Sequence, residues 1–146
     1  MATLRTILED KDSTVHTVEP EASILEAVGK MCQLRIGALL VERFGHPLGI
    51  ISERDVLTRF LLERRDPVET RVEEIMTPNV LCIDLDRSPE EAMSLMTERR
   101  VRHLPVMEGR GVVGIVSIGD LMRWASRDKE YEIRTLREYV SGVYAG

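Results

Sequence analysis

Aromatic side chains are scarce in this chain of 146 residues: Phe, Trp and Tyr together make up 4%. Any core is therefore aliphatic, built from Ile, Leu, Val, Ala and Met, and a platform on which bases stack is absent. Positive charge is also in deficit. The net charge of −5 argues against a surface that coats nucleic acid, although a small anion, which reads local charge, stays open. Only two cysteines occur, Cys32 and Cys82. They form no Cys-x-x-Cys pair and sit among apolar neighbours, which predicts reduced, buried thiols. The histidines His16, His46 and His103 lack metal-ligand spacing. No run approaches the roughly 18 apolar residues that cross a bilayer, and Met1-Ala2-Thr3-Leu4-Arg5 does not open a secretory signal. A cytoplasmic location away from membranes is expected. No Ser/His/Asp, Cys/His or metal constellation clusters, and the one candidate base, His103, has no nucleophile beside it, so an enzyme is not expected.

What is present is an internal repeat. Gly49-Ile50-Ile51-Ser52-Glu53-Arg54-Asp55 returns as Gly114-Ile115-Val116-Ser117-Ile118-Gly119-Asp120, 65 residues later. The same ungapped shift pairs Val15 with Val80, Ser23 with Ser88, Glu26-Ala27 with Glu91-Ala92, Met31 with Met96, and Leu39-x-Val41 with Leu104-x-Val106.

Each unit reads β-α-β-β-α. A short extended piece (Val15 to Val18, Val80 to Ile83) leads to a helix opened by a capping box, Ser23-x-x-Glu26 or Ser88-x-x-Glu91, with Pro89 at the first helical position. Ile24, Ala27, Val28 and Met31 form one apolar face. Two strands follow around short turns containing Gly45 or Gly109, which predicts hairpins, and a second helix starts at Ser52 or Ser117. Met31, Met76, Met93, Met96, Met107 and Met122 are read as core. The boundaries are repeat 1 at 4–62, a polar linker at 63–71, repeat 2 at 72–127, and a C-terminal amphipathic helix at 128–146. The fold class is mixed α/β (α+β), with the two units packed about a pseudo-two-fold axis because neither covers both faces of its own sheet.

At these residues the chain resembles the cystathionine-β-synthase (CBS) domain family. The resemblance rests on the tandem unit, on Ile75-Met76-Thr77-Pro78 opening the second repeat, on Arg102-His103-Leu104-Pro105-Val106 before its hairpin, and on Gly-Ile-hydrophobic-Ser-x-x-Asp given twice. It covers roughly residues 4–126. It implies a stand-alone regulatory module without catalytic activity, whose two clefts hold AMP, ATP, NAD(H) or another adenosyl compound, AMP being favoured. It also implies a flat homodimer paired through helices, and a regulated protein that is a separate molecule. The first repeat departs from the pattern: it lacks the Met-Thr-Pro signature and reads Gly37-Ala38 where the second has Arg102-His103.

Chemistry supports that implication. In Ser52-x-x-Asp55 and Ser117-x-x-Asp120 a serine ends a strand, and its hydroxyl can bond a phosphate or ribose oxygen. The carboxylate one turn on can accept from two ribose hydroxyls. The same pattern is also a plain helix cap. Arg99, Arg100, Arg102 and His103 form the densest basic patch. His103 or Arg102 is expected to face phosphate; as strand neighbours they point to opposite faces, so one of them reaches a given cleft. Arg54 is a further phosphate candidate, with a surface ion pair as its alternative. The lead-in segments, Ser13 to Thr17 and Thr77 to Cys82, are expected to supply base contacts. A structural interaction domain with empty clefts is the competing function. In the tail, Tyr131, Ile133, Leu136, Tyr139 and Val140 form an apolar face that either folds back or pairs two protomers.

Overall fold

The computed structural model describes residues 2–11 and 14–141. Repeat 1 runs β1 (Thr17–Val18), α2 (Ile24–Leu34), β2 (Ala38–Arg43), β3 (His46–Ser52) and α3 (Glu53–Asp55), and is preceded by α1 (Leu4–Glu9). Repeat 2 runs α4 (Val72–Ile75), β4 (Thr77–Pro78), β5 (Ile83–Asp84), α5 (Pro89–Arg99), β6 (His103–Glu108), β7 (Gly111–Ser117) and α6 (Ile118–Ser141). Among the described residues there is one sheet of order β1-β2-β3-β4 and a second of order β5-β6-β7.

The 65-residue shift governs detail as well as outline. β1 runs parallel to β2, and β5 parallel to β6. The hairpins share one register, Leu40 opposite Ile50 and Pro105 opposite Ile115, and each carries a bulge at the equivalent step, Val41/Glu42 and Val106/Met107. Ser23 and Ser88 accept from the backbone N–H of Glu26 and Glu91. Only this serine half of each expected capping box forms; in the second repeat the Glu91 carboxylate accepts from Arg87 at 3.2 Å instead. Both helices end on an arginine in the left-handed region, Arg35 and Arg100, each at φ 55°. The hairpin turns differ. Phe44 and Gly45 both have positive φ, as a type I′ turn requires, whereas only Gly109 does in the second, as in type II′.

The lead-in helices are exchanged between the repeats. Leu4, Ile7 and Leu8 of α1 pack into the second core with Ile83, Met96 and Val106. Val72 and Ile75 of α4 pack into the first core with Ile24, Met31 and Ile51. β4 completes the exchange by pairing with β3, Ile50 opposite Thr77. The sequence boundaries at 62 and 72 therefore do not separate two self-sufficient cores.

Several expectations change here. Cys32 is exposed and Cys82 is half-buried, both as free thiols; Cys32 follows Met31 on α2 and so turns off the buried stripe. Met122 is 62% exposed, while Met31 and Met96 are buried as expected. The second helix of repeat 1 winds as a π-helix over Val56–Leu61. Val56 and Phe60 face the first core, and an i, i+4 pair shares a face in either winding, so the pattern does not distinguish them. The expected separate tail helix is the continuation of α6, unbroken from Ile118 to Ser141.

Candidate functional site

Two clefts lie where the repeats meet, and they are equivalent under the 65-residue shift. The first, of about 450 Å³, is lined by Lys11, His16, Arg35, Gly37, His103, Ser117, Asp120 and Arg123 among others. The second, of about 640 Å³, is lined by Ser52, Arg54, Asp55, Thr58, Thr77, Asn79, Arg100, Arg102 and His103, with Ile50, Val80, Leu81 and Val101 as its apolar part.

The Ser-x-x-Asp motif is built the same way at both places. Ser52 is an extended N-cap whose Oγ accepts from the Asp55 N–H at 3.3 Å, while the Asp55 carboxylate accepts from the Ser52 N–H at 2.9 Å. The Ser117 pair repeats this at 3.1 and 2.8 Å. The cap reading is thus correct as structure. It also fixes both carboxylates, each only 8% exposed, at the cleft wall. Each is then gripped by the other repeat's lead-in segment. The Thr77 hydroxyl donates to Asp55 Oδ1 at 3.1 Å. On the other side Lys11 Nζ donates to Asp120 Oδ2 at 2.8 Å and to the Ile115 carbonyl at 3.0 Å.

The electrostatics of the two clefts diverge at this point. Asp120 holds two cations, because Arg123 also donates to its Oδ1 at 2.6 Å. Burial works to raise the Asp120 pKa, but the bonds from Lys11 and the Ser117 N–H outweigh it and hold the carboxyl below its ordinary value. The Asp55 carboxylate accepts from the Ser52 N–H and from two hydroxyls, Ser52 Oγ and Thr77 Oγ1, with no cation bonded to it among the described residues. Instead Arg54, Arg99, Arg100 and Arg102 line the second cleft, and none has an ion-pair partner among the described residues. Arg59 joins them but is committed to the Met76 carbonyl at 3.0 Å. His103 borders both clefts. Burial depresses its pKa, with Lys11 and Arg102 pushing the same way, against the pull of Asp120 and Glu53.

Of the residues singled out in the sequence, Ser52, Arg54, Asp55, Thr77, Arg102 and His103 come together in the second cleft, and Ser117, Asp120 and His103 in the first. Arg102 and His103 both line the second cleft, against the expectation that one would be turned away. Arg102 precedes β6, so strand alternation does not apply to it. Thr17 and Cys82 line neither cleft: Thr17 pairs with Leu40 in the sheet, with its carbonyl accepting from Lys30, and Cys82 points its thiol to the Val80 carbonyl. Ser13, Tyr131, Tyr139 and Val140, named above, lie outside the described residues or side chains. Asn79, within the lead-in segment expected to make base contacts, lines the second cleft, whereas Lys11 and Arg123 are cleft residues that the sequence reading missed. The signal for Lys11 was available, since it stands where the other repeat has Met76, at the first residue of its signature.

The sequence profile of the CBS domain matches residues 11–62 and 72–127. The chain is 35% identical over 127 residues to the CBS domain-containing protein CBSX3, mitochondrial, of Arabidopsis thaliana, covering 84% of this chain and 62% of that protein's length. A Burkholderia ambifaria protein with CBS domains, described as a signal-transduction protein, superimposes with a TM-score of 0.84 at 40% identity, over 87% of this chain and 96% of that one. A hexameric CBS-CP12 protein from bloom-forming cyanobacteria gives a TM-score of 0.79 at 25% identity, over 97% of this chain and 86% of that one. With both repeats matched and the fold superimposing on solved CBS-domain structures, the chain belongs to the CBS-domain family, as two CBS domains in tandem.

Proposed function

We propose that the chain is a regulatory module, not an enzyme, that binds an adenine nucleotide in the cleft between its repeats. AMP is favoured; ATP, NAD(H) and S-adenosylmethionine are the other adenosyl ligands of fitting size. The observation that carries this is the pairing of a buried carboxylate free of cations, Asp55, with Arg54, Arg99, Arg100 and Arg102 in one cleft. A carboxylate accepts from the ribose hydroxyls, guanidinium groups bond phosphate oxygens in a fixed fork, and Ile50, Val80, Leu81 and Val101 give the base an apolar wall. His103 and Ser52 stand within the same cleft as further phosphate or ribose contacts.

Binding changes how the repeats pack, because Thr77 of repeat 2 bonds Asp55 of repeat 1, and a separate protein reads that change. The module works as a homodimer. Ile133 and Leu136 on α6 are 49% and 64% exposed, apolar area that a second copy would cover, and the cyanobacterial relative is itself an assembly. A cytoplasmic location is part of this proposal. Among the described residues no helix is long and apolar enough to cross a membrane.

The test is thermal melting with AMP, ATP, NADH and S-adenosylmethionine in turn, since a ligand that binds only the native state raises the melting temperature. A rise with one or more of the four is expected. No rise with any would favour the alternative, a protein-interaction domain without a ligand.

A further inference from the structure

The two clefts are equivalent in backbone but not in charge, and the difference lies in two residues. In the second cleft, every group bonded to Asp55 is a backbone N–H or a hydroxyl, Ser52 Oγ at 3.0 Å and Thr77 Oγ1 at 3.1 Å. A hydroxyl rotates freely and is exchanged for a ribose hydroxyl without loss of an ion pair. In the first cleft, Asp120 holds Lys11 on one oxygen and Arg123 on the other. A ribose there must break two charge-assisted bonds at a buried carboxylate.

Gly119 stands at the position equivalent to Arg54, beside this arrangement. A side chain at Gly119 would meet Arg123 Nη1 at 3.4 Å and Ser117 Oγ at 3.6 Å. The Arg123 guanidinium therefore lies over the start of α6, beside the serine that would otherwise contact the ligand. Position 123 corresponds to Thr58 in the other repeat and position 11 to Met76, both uncharged.

We propose that Lys11 and Arg123 close the first cleft from within as built-in counter-ions of Asp120, so that each chain takes a single adenine nucleotide, in the second cleft. This rests on the nucleotide reading above and adds which site is open and what shuts the other. The two cations are specificity-determining residues: they turn one of two equivalent sites into a fixed internal contact.

Calorimetric titration of the full chain with AMP tests it. The wild type should bind one AMP per chain, and Asp55→Ala should leave no site of comparable affinity. Lys11→Met with Arg123→Thr, which gives the first cleft the residues of the second, should raise the stoichiometry to two, and adding Asp55→Ala to that variant should return it to one. Two equal sites in the wild type, or an AMP site of undiminished affinity in Asp55→Ala, would overturn the proposal. So would a double variant that melts cooperatively yet still binds one. Should the double variant fail to fold, the Asp55→Ala arm decides alone. Absence of any binding to the wild type would instead remove the nucleotide reading itself.

Discussion

The Thr77 hydroxyl donates to the Asp55 carboxylate at 3.1 Å, joining the first strand of one repeat to the motif that closes the other. The same exchange runs through the packing, since Ile75, two residues earlier, is fully buried in the core of repeat 1. Ile75→Ala is accordingly expected to destabilise the protein by about 2–5 kcal/mol. Hydrogen exchange should show the added opening in β2 and β3 of repeat 1. Loss of protection confined to repeat 2, the repeat that carries the mutation in sequence, would contradict the exchange of lead-in helices.

The recurring glycine of the Gly-Ile motif is held by close approach, and the two copies differ in what approaches. A methyl group at Gly49 would lie 2.5 Å from the Thr77 carbonyl and 2.9 Å from Met76 Sδ, whereas at Gly114 its nearest neighbours would be the side-chain end of Leu8, with both methyls at 2.9 Å. Backbone cannot retreat as a leucine tip can. Gly49→Ala should cost about 2–3 kcal/mol in denaturant unfolding and Gly114→Ala about 1 kcal/mol. Gly49→Ala should also weaken nucleotide binding by pushing β4 and Thr77 away. Equal costs would mean that β4 is less firmly seated than its pairing with β3 indicates.

His103 gives opposite pH trends for folding and for binding. Its pKa is depressed by burial, so the native state resists protonation relative to the unfolded chain. Its contribution to stability is present above the unfolded value of about 6.5 and is lost as pH falls through the lower folded value. A bound phosphate favours the protonated imidazole but is itself protonated near pH 6, so acidification over the same range should favour AMP binding by the wild type relative to His103→Ala, while adenosine binding shows no such difference. His103→Ala should flatten the stability decline and remove the extra gain for AMP, measured by melting and calorimetry across pH. Equal loss of AMP and adenosine affinity in His103→Ala would reassign His103 to packing.

Chain truncation after Arg127 removes Ile133 and Leu136 and is expected to weaken the proposed homodimer, with light scattering as the measurement. Burial of such side chains contributes about 1.5–3 kcal/mol each. A truncated protein that dissociates at the same concentration would exclude the tail from the interface.

The backbone was the more legible part. Ungapped repetition of Ser-x-x-Asp, of the Leu-x-Val strands and of the serine caps dictates two copies of one unit, because identical local signals fold identically. The exchange of α1 and α4 was not legible: Leu4, Ile7 and Leu8 carry an apolar face but nothing that names which core receives it. For the site, Asp55 and Asp120 were found by their spacing, yet their difference was hidden. It depends on Lys11 and Arg123, which stand 109 and 3 residues from Asp120; only the charge at position 11, where the other repeat has Met76, marked it in sequence. Thr17 and Cys82 line neither cleft because Thr17 is already paired in β1 and Cys82, just ahead of β5, turns its thiol to the Val80 carbonyl.

The central claim is that Asp55 anchors an adenine nucleotide between the repeats. It is tested most directly by titrating AMP into the wild type and into Asp55→Ala, with the melting of both recorded. Removing a hydrogen-bonded carboxylate should weaken AMP by about 10–100-fold, while loss of this first-turn carboxylate, with the Ser52 cap retained, lowers stability by only about 0.3–1 kcal/mol and leaves the variant folded. Saturable binding to the wild type with that loss in a folded variant is the predicted result; unchanged affinity in Asp55→Ala would contradict it and return Asp55 to a helix cap alone.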